Sequence, residues 1–117
     1  MEKIITNRKV QDVNMVSFSF DEINFEQREQ IKKELNELVQ AGETNFVIDL
    51  SKVGFLSSLV IATIVFFSKE VRKNNGEVKL SGLSNEAFSV LQLTQLDKIF
   101  ELYETENEAL ESFKNPS

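Results

Sequence analysis

The sequence predicts a single α/β domain, a mixed sheet of about five strands covered by about four helices. Three features lead there. Phe46 to Leu50 is an apolar run broken only by Asp49; its length suits a strand, and apolar residues on both sides of the alternation suit one covered on both faces. Phe25 to Gln40 instead places Ile31, Leu35, Leu38 and Val39 at three- and four-residue spacing, with charges on the other side. That is the stripe of an amphipathic helix. Finally, strand-like and helix-like segments follow one another as β-β-α-β-α-β-α-β-α, an order that implies a mixed sheet.

Residues 4–10 and 15–20 form two strands joined by Gln11-Asp-Val-Asn14, a hairpin. In the second, Val16, Phe18 and Phe20 alternate with Met15, Ser17 and Ser19, the pattern of a half-buried strand. Asn24 is placed to cap the first helix, and Gly42 to end it. After the Phe46–Leu50 strand and a short connector come Ser57 and Ser58, then Leu59 to Phe67 without a charge. A hydroxyl before an apolar helical run is an N-cap signal, because its oxygen accepts from an unpaired amide of the first turn. This second helix runs to Asn74-Asn75-Gly76. Glu77 to Leu83 is a strand, with Gly82 opening a turn. Glu86 to Leu93 is a short helix with Phe88, Val90, Leu91 and Leu93 on its apolar side, and Ile99 to Tyr103 is the fifth strand. Thr105-Glu-Asn-Glu108 matches a capping box, and Ala109, Leu110 and Phe113 give the last helix its sticky face. Residues 1–117 thus read as one domain with a frayed tail at 114–117.

Composition narrows the function. The net charge of −6 disfavours nucleic acid, whose phosphates need a clustered basic surface, and anionic membrane surfaces for the same reason. The longest apolar segment is far too short to span a bilayer, and the N-terminus lacks a signal-like apolar run, so a cytoplasmic protein is expected. Absence of cysteine and histidine removes thiolate chemistry, imidazole ligands and any serine–histidine triad. No glycine loop cradles phosphate, no carboxylates pair by spacing, and no cofactor or metal is expected; an enzyme is the weakest class. Asp49 alone makes a poor cation site and reads as a strand-end residue receiving loop amides.

Several of these residues resemble a known family. Phe46-Val-Ile-Asp-Leu-Ser-x-Val-x-Phe-Leu-Ser-Ser is similar to the core of STAS domains, the fold of bacterial anti-sigma-factor antagonists. Leu91-Gln-Leu-Thr-Gln-Leu-Asp-Lys-Ile-Phe100 resembles that family's Leu-x-Leu-Thr-Gly-Leu-Asp-x-Leu-Phe segment, and the element order agrees from end to end. The resemblance implies a phospho-switch. A partner anti-sigma kinase, bringing ATP and Mg²⁺, phosphorylates a serine at the start of the second helix; the unmodified form binds that kinase and frees its sigma factor. On the family pattern Asp-Ser-Ser/Thr/Ala-Gly-Leu-Gly, the acceptor falls on Ser58, the Asp on Ser57, and the glycines on Val60 and Ala62. Asp49 matches the family's strand-end aspartate near the switch.

For Ser58 two readings stand side by side: phospho-acceptor and helix cap. Ser57 is the other cap and the fallback acceptor. A helix covering one face of a sheet leaves a side uncovered, so Val60, Thr63 and Phe67 are candidates, with Ser57 and Ser58, for a partner-binding surface. The expected function is an anti-sigma-factor antagonist-like regulator whose partner is an anti-sigma factor with serine kinase activity. The alternative is a STAS scaffold or homodimer that is never phosphorylated, with Val60 and Phe67 in a constitutive apolar interface.

Overall fold

A computed structural model describes residues 5–114. The elements are β1 (Ile5–Val10), β2 (Val13–Phe18), α1 (Phe25–Gln40), β3 (Asn45–Asp49), α2 (Ser58–Lys73), β4 (Glu77–Ser81), α3 (Asn85–Leu93), β5 (Glu101–Tyr103) and α4 (Glu106–Lys114), with a 3-10 turn at Leu96–Lys98. One mixed sheet has the order β1-β2-β3-β4-β5. The β1–β2 pair is antiparallel and the other three pairs are parallel. Four helices on a five-stranded mixed sheet is the predicted architecture.

The hairpin turns more tightly than the sequence suggests. Gln11 and Asp12 both take positive φ, 50° and 69°, the two-residue turn whose twist matches antiparallel strands. Val13 and Asn14 therefore belong to β2 and not to the connector, and β2 ends at Phe18, short of Phe20. The strand is also covered on both faces. Val16 and Phe18 join the large core beneath α1, α2 and α3, while Val13 and Met15 join a smaller core with Val47 and Ala109 of α4. On β3, the central strand, Phe46, Val47 and Ile48 are all fully buried, as its unbroken apolar run requires.

Asn24 caps α1 in a full capping box with Gln27, and Gly42, at φ +95°, follows the helix end. In α3 the buried residues are Ala87 and Leu91, one turn apart. Phe88 and Leu93 lie off that stripe and are exposed, so the apolar side is narrower than expected. The 3-10 turn, entered through Gln95 at φ 62°, folds back the chain ahead of the last strand, so β5 is only Glu101–Tyr103 and does not begin at Ile99. Thr105 Oγ1 accepts from the Glu108 N–H at 3.1 Å, and Ala109, Leu110 and Phe113 pack against the sheet as expected. Lys114 closes α4, and the rest of the expected frayed tail lies outside the described residues.

Candidate phospho-acceptor and partner-binding site

The site is built where β3 runs into α2, at the C-terminal ends of the parallel strands. Asp49 ends β3 and is buried. Its Oδ2 accepts from Ser51 Oγ at 2.6 Å and its Oδ1 from Ser81 Oγ, on β4, at 3.0 Å. Hydroxyls, not the expected loop amides, are its side-chain donors. Gly82 lies against this cluster at φ +73°, where a Cβ would come within 2.8 Å of Asp49 Oδ1 and 2.9 Å of Ser51 Cβ. Only glycine combines that φ with that approach.

From there the connector alternates between core and solvent. Val53 and Leu56 are buried, and the Val53 N–H closes a turn onto Leu50 O at 3.0 Å. Gly54 and Phe55 stay outside, with Phe55 51% exposed. Ser57 is the N-cap of α2: its backbone is extended and its Oγ accepts from the Val60 N–H at 3.3 Å. Ser58 is therefore the first helical residue rather than the cap, and it is exposed. No acidic side chain lies in the first turn of α2. The first turn of α2 thus adds no negative charge of its own at the end where the macrodipole favours it.

The structure corrects the rest of the expected contact surface. Val60, Thr63 and Phe67 are 0%, 0% and 3% exposed, pressed into the core between α2, α1 and the sheet. They cannot touch a partner or feed a dimer interface. The outer face of α2 is instead Ser58, Ala62, Phe66 and Lys69, one side chain per turn, with Phe55 just ahead of it. Phe66 is 41% exposed, and Lys32 of α1 sits 4.2 Å above its ring. Sequence reasoning missed Phe55 and Phe66: Phe55 lies in the connector, where no helical repeat applies, and Phe66 lies in the uncharged part of α2, where only Lys69, one turn further on, hints at the outer face.

Ser57 and Val60 both depart from the family pattern, and neither disturbs the start of α2. Serine and aspartate are equivalent N-caps, so Ser57 keeps the helix start while removing a carboxylate beside Ser58. Val60 points inward and adds core volume, which leaves the outer surface untouched. Ser57→Ala is accordingly expected to cost about 1 kcal/mol, and Ser57→Asp a few tenths at most. Urea unfolding of both variants checks this; equal losses would deny Ser57 its capping role.

The interior beneath α2 leaves no room for a small ligand. The space between Leu56, Ile61, Ile64, Val65, Leu80, Leu91, Leu96 and Phe100 is about 10 Å³, too small to be more than marginal even for water. Among the described residues no three of Asp, Glu, His or Cys are grouped to hold a metal ion, and no helix is long and apolar enough to cross a membrane.

Comparison with known proteins agrees with this architecture. The STAS domain family model matches residues 5–109. A Thermotoga neapolitana protein provisionally named as an anti-sigma factor antagonist is 32% identical over 91 residues, 77% of this chain and 80% of that one. The anti-sigma-factor antagonist (STAS) domain protein of Planctomyces limnophilus superimposes with a TM-score of 0.82 at 27% identity, over 95% of this chain and 98% of that one. The Bacillus cell fate determinant SpoIIAA in its phosphorylated form shares the fold, with a TM-score of 0.73 at 18% identity over 93% and 98% of the two chains. This chain belongs to the STAS domain family.

Proposed function

We propose that this protein is an anti-sigma-factor antagonist that binds an anti-sigma factor with serine kinase activity and is switched by phosphate on Ser58. The observation that supports it is the assignment of the serine pair. Ser57 makes the cap bond, so capping does not engage the Ser58 hydroxyl, which stands exposed on the first turn. Relatives named as anti-sigma factor antagonists support this class of partner, and SpoIIAA, which shares the fold, has been solved in a phosphorylated form.

The chemistry asked of this chain is modest. It presents a hydroxyl; the partner brings ATP and Mg²⁺ and aligns the transferring phosphoryl group. A phosphate adds about −1.5 to −2 charges. At the start of α2 the helix macrodipole accommodates that charge, so the fold is not expected to change. The effect falls on the complex, where a partner surface packed over Ser58 meets new bulk and charge.

Phe55, Ser58, Ala62 and Phe66 form the contact in this reading. An exposed aromatic beside the acceptor is the kind of residue that dominates binding energy, so Phe55→Ala should weaken the complex by roughly 30-fold while leaving the fold intact. Ser58→Ala should bind as wild type does, and Ser58→Glu should not bind measurably. Titration calorimetry against the host's anti-sigma factor checks all three. Wild-type affinity in Ser58→Glu would overturn the switch, and wild-type affinity in Phe55→Ala would move the contact elsewhere.

A further inference from the structure

Gly54 is where three loops meet. Its N–H donates to Asp21 Oδ1, in the β2–α1 loop, at 2.8 Å. Its carbonyl accepts from Ser84 Oγ, in the β4–α3 loop, at 3.1 Å. The same Ser84 oxygen accepts from the Ala87 N–H at 3.0 Å and so caps α3. These bonds link positions 33 and 30 residues apart in sequence. Both supports are themselves anchored. Asp21 stands between Phe20 and Ile23, which pack on the large core, and Asn24 begins α1 just beyond. Ser84 follows Gly82, which lies against Asp49 and Ser51.

From this geometry we infer that Asp21 and Ser84 are positioning residues for Ser58. The inference deepens the proposed function and rests on it. Residues 51–57 lead directly into the acceptor, and within them Gly54 and Phe55 are exposed rather than anchored in the core. Val53 and Leu56 pin the segment from below; Asp21 and Ser84 hold it from both sides at Gly54. The result is one pose of Phe55 and Ser58 before any partner arrives. A partner then meets a pre-ordered surface and need not order it at the cost of affinity. Without the supports only a fraction of molecules is competent at any instant, and apparent affinity falls by that fraction. Once bound, the acceptor is in the same place, so the chemical step is unaffected.

Asp21→Ala removes a charged acceptor, and losing such a bond opens the local structure by roughly 10-fold or more. Asp21→Asn keeps an oxygen at Oδ1 and should restore most of the hold. Ser84→Asp keeps an α3 cap but loses the donor to Gly54. The experiment has two parts on the full chain. Amide exchange by mass spectrometry across residues 51–57 reads the hold itself. Kinetics of phosphorylation by the host's anti-sigma kinase reads its consequence for Ser58. Exchange is expected to quicken about 10-fold in Asp21→Ala and Ser84→Asp. KM should rise by a similar factor with kcat unchanged, and Asp21→Asn should lie near wild type. Unchanged exchange in Asp21→Ala overturns the inference, as does faster exchange with unchanged KM. If wild-type protein accepts no phosphate, the phospho-switch fails instead, and affinity for the same kinase replaces KM: weaker binding by Asp21→Ala upholds the positioning role and equal binding refutes it.

Discussion

Phe46→Ala is expected to lower the stability of this domain by about 3–5 kcal/mol. Phe46 lies on the central strand, registered against Asn14 of β2 and Val78 of β4, and its side chain is fully buried. Its ring meets Phe67 of α2 edge-on, with centroids 4.9 Å apart and planes at 86°. The contact thus joins the sheet to the helix that carries Ser58. Truncation removes the transfer free energy of a phenyl ring, leaves a cavity bounded by strands that cannot close on it, and discards an aromatic pair that adds about 0.5–1.5 kcal/mol. A domain of this size holds about 5–15 kcal/mol in total. The midpoint of urea unfolding should therefore fall steeply at unchanged m-value. A loss under ~1 kcal/mol would mean that the site repacks around the missing ring and would contradict this account.

Gly76→Ala is the second large effect, and its cause is steric. A Cβ at this position would stand 2.3 Å from Thr44 O and 2.7 Å from Val71 Cγ1. The carbonyl cannot yield easily, since it accepts the Glu77 N–H at 2.8 Å, while the Gly76 N–H itself bonds Val71 O at 3.0 Å. Alanine must push the end of α2 away from the start of β3. Overpacking of this kind costs about 1–3 kcal/mol and occasionally more; the upper end is expected where the obstacle is backbone. Gly42 gives the comparison. It has positive φ, but a methyl group there would meet nothing within 4 Å, so Gly42→Ala should cost about 1–2 kcal/mol from conformation alone. Thermal unfolding of the pair decides the matter: Gly76→Ala no worse than Gly42→Ala would contradict the steric account.

Much of the fold is legible in the sequence because its signals are local. The buried β3 run, the Ile31–Leu35–Val39 stripe of α1, the Asn24 cap and the Thr105 cap each lie within a few residues of the feature they specify. Ser57 and Ser58 are legible as a helix start for the same reason. The face of α2 is not. Its nine uncharged residues give a weak phase, and Thr63 looks like an outward residue because it is polar. In the structure its Oγ1 donates to Leu59 O at 2.7 Å, so the hydroxyl finds its partner within the helix and tolerates burial. Packing against both α1 and the sheet then draws in Val60, Ile64, Phe67 and Val71 as well. The Gly54 junction is beyond reach for a different reason. Asp21, Gly54 and Ser84 come together only when three strands end side by side, and nothing in the neighbourhood of any one of them announces the other two.

The most direct test of the central claim is to incubate the protein with its host's anti-sigma kinase and ATP, then map phosphate by mass spectrometry beside Ser58→Ala and Ser57→Ala. A single phosphate on Ser58, absent from Ser58→Ala and retained by Ser57→Ala, is the predicted result. Phosphate that persists in Ser58→Ala, or wild-type protein that binds the kinase and remains unmodified, would contradict it.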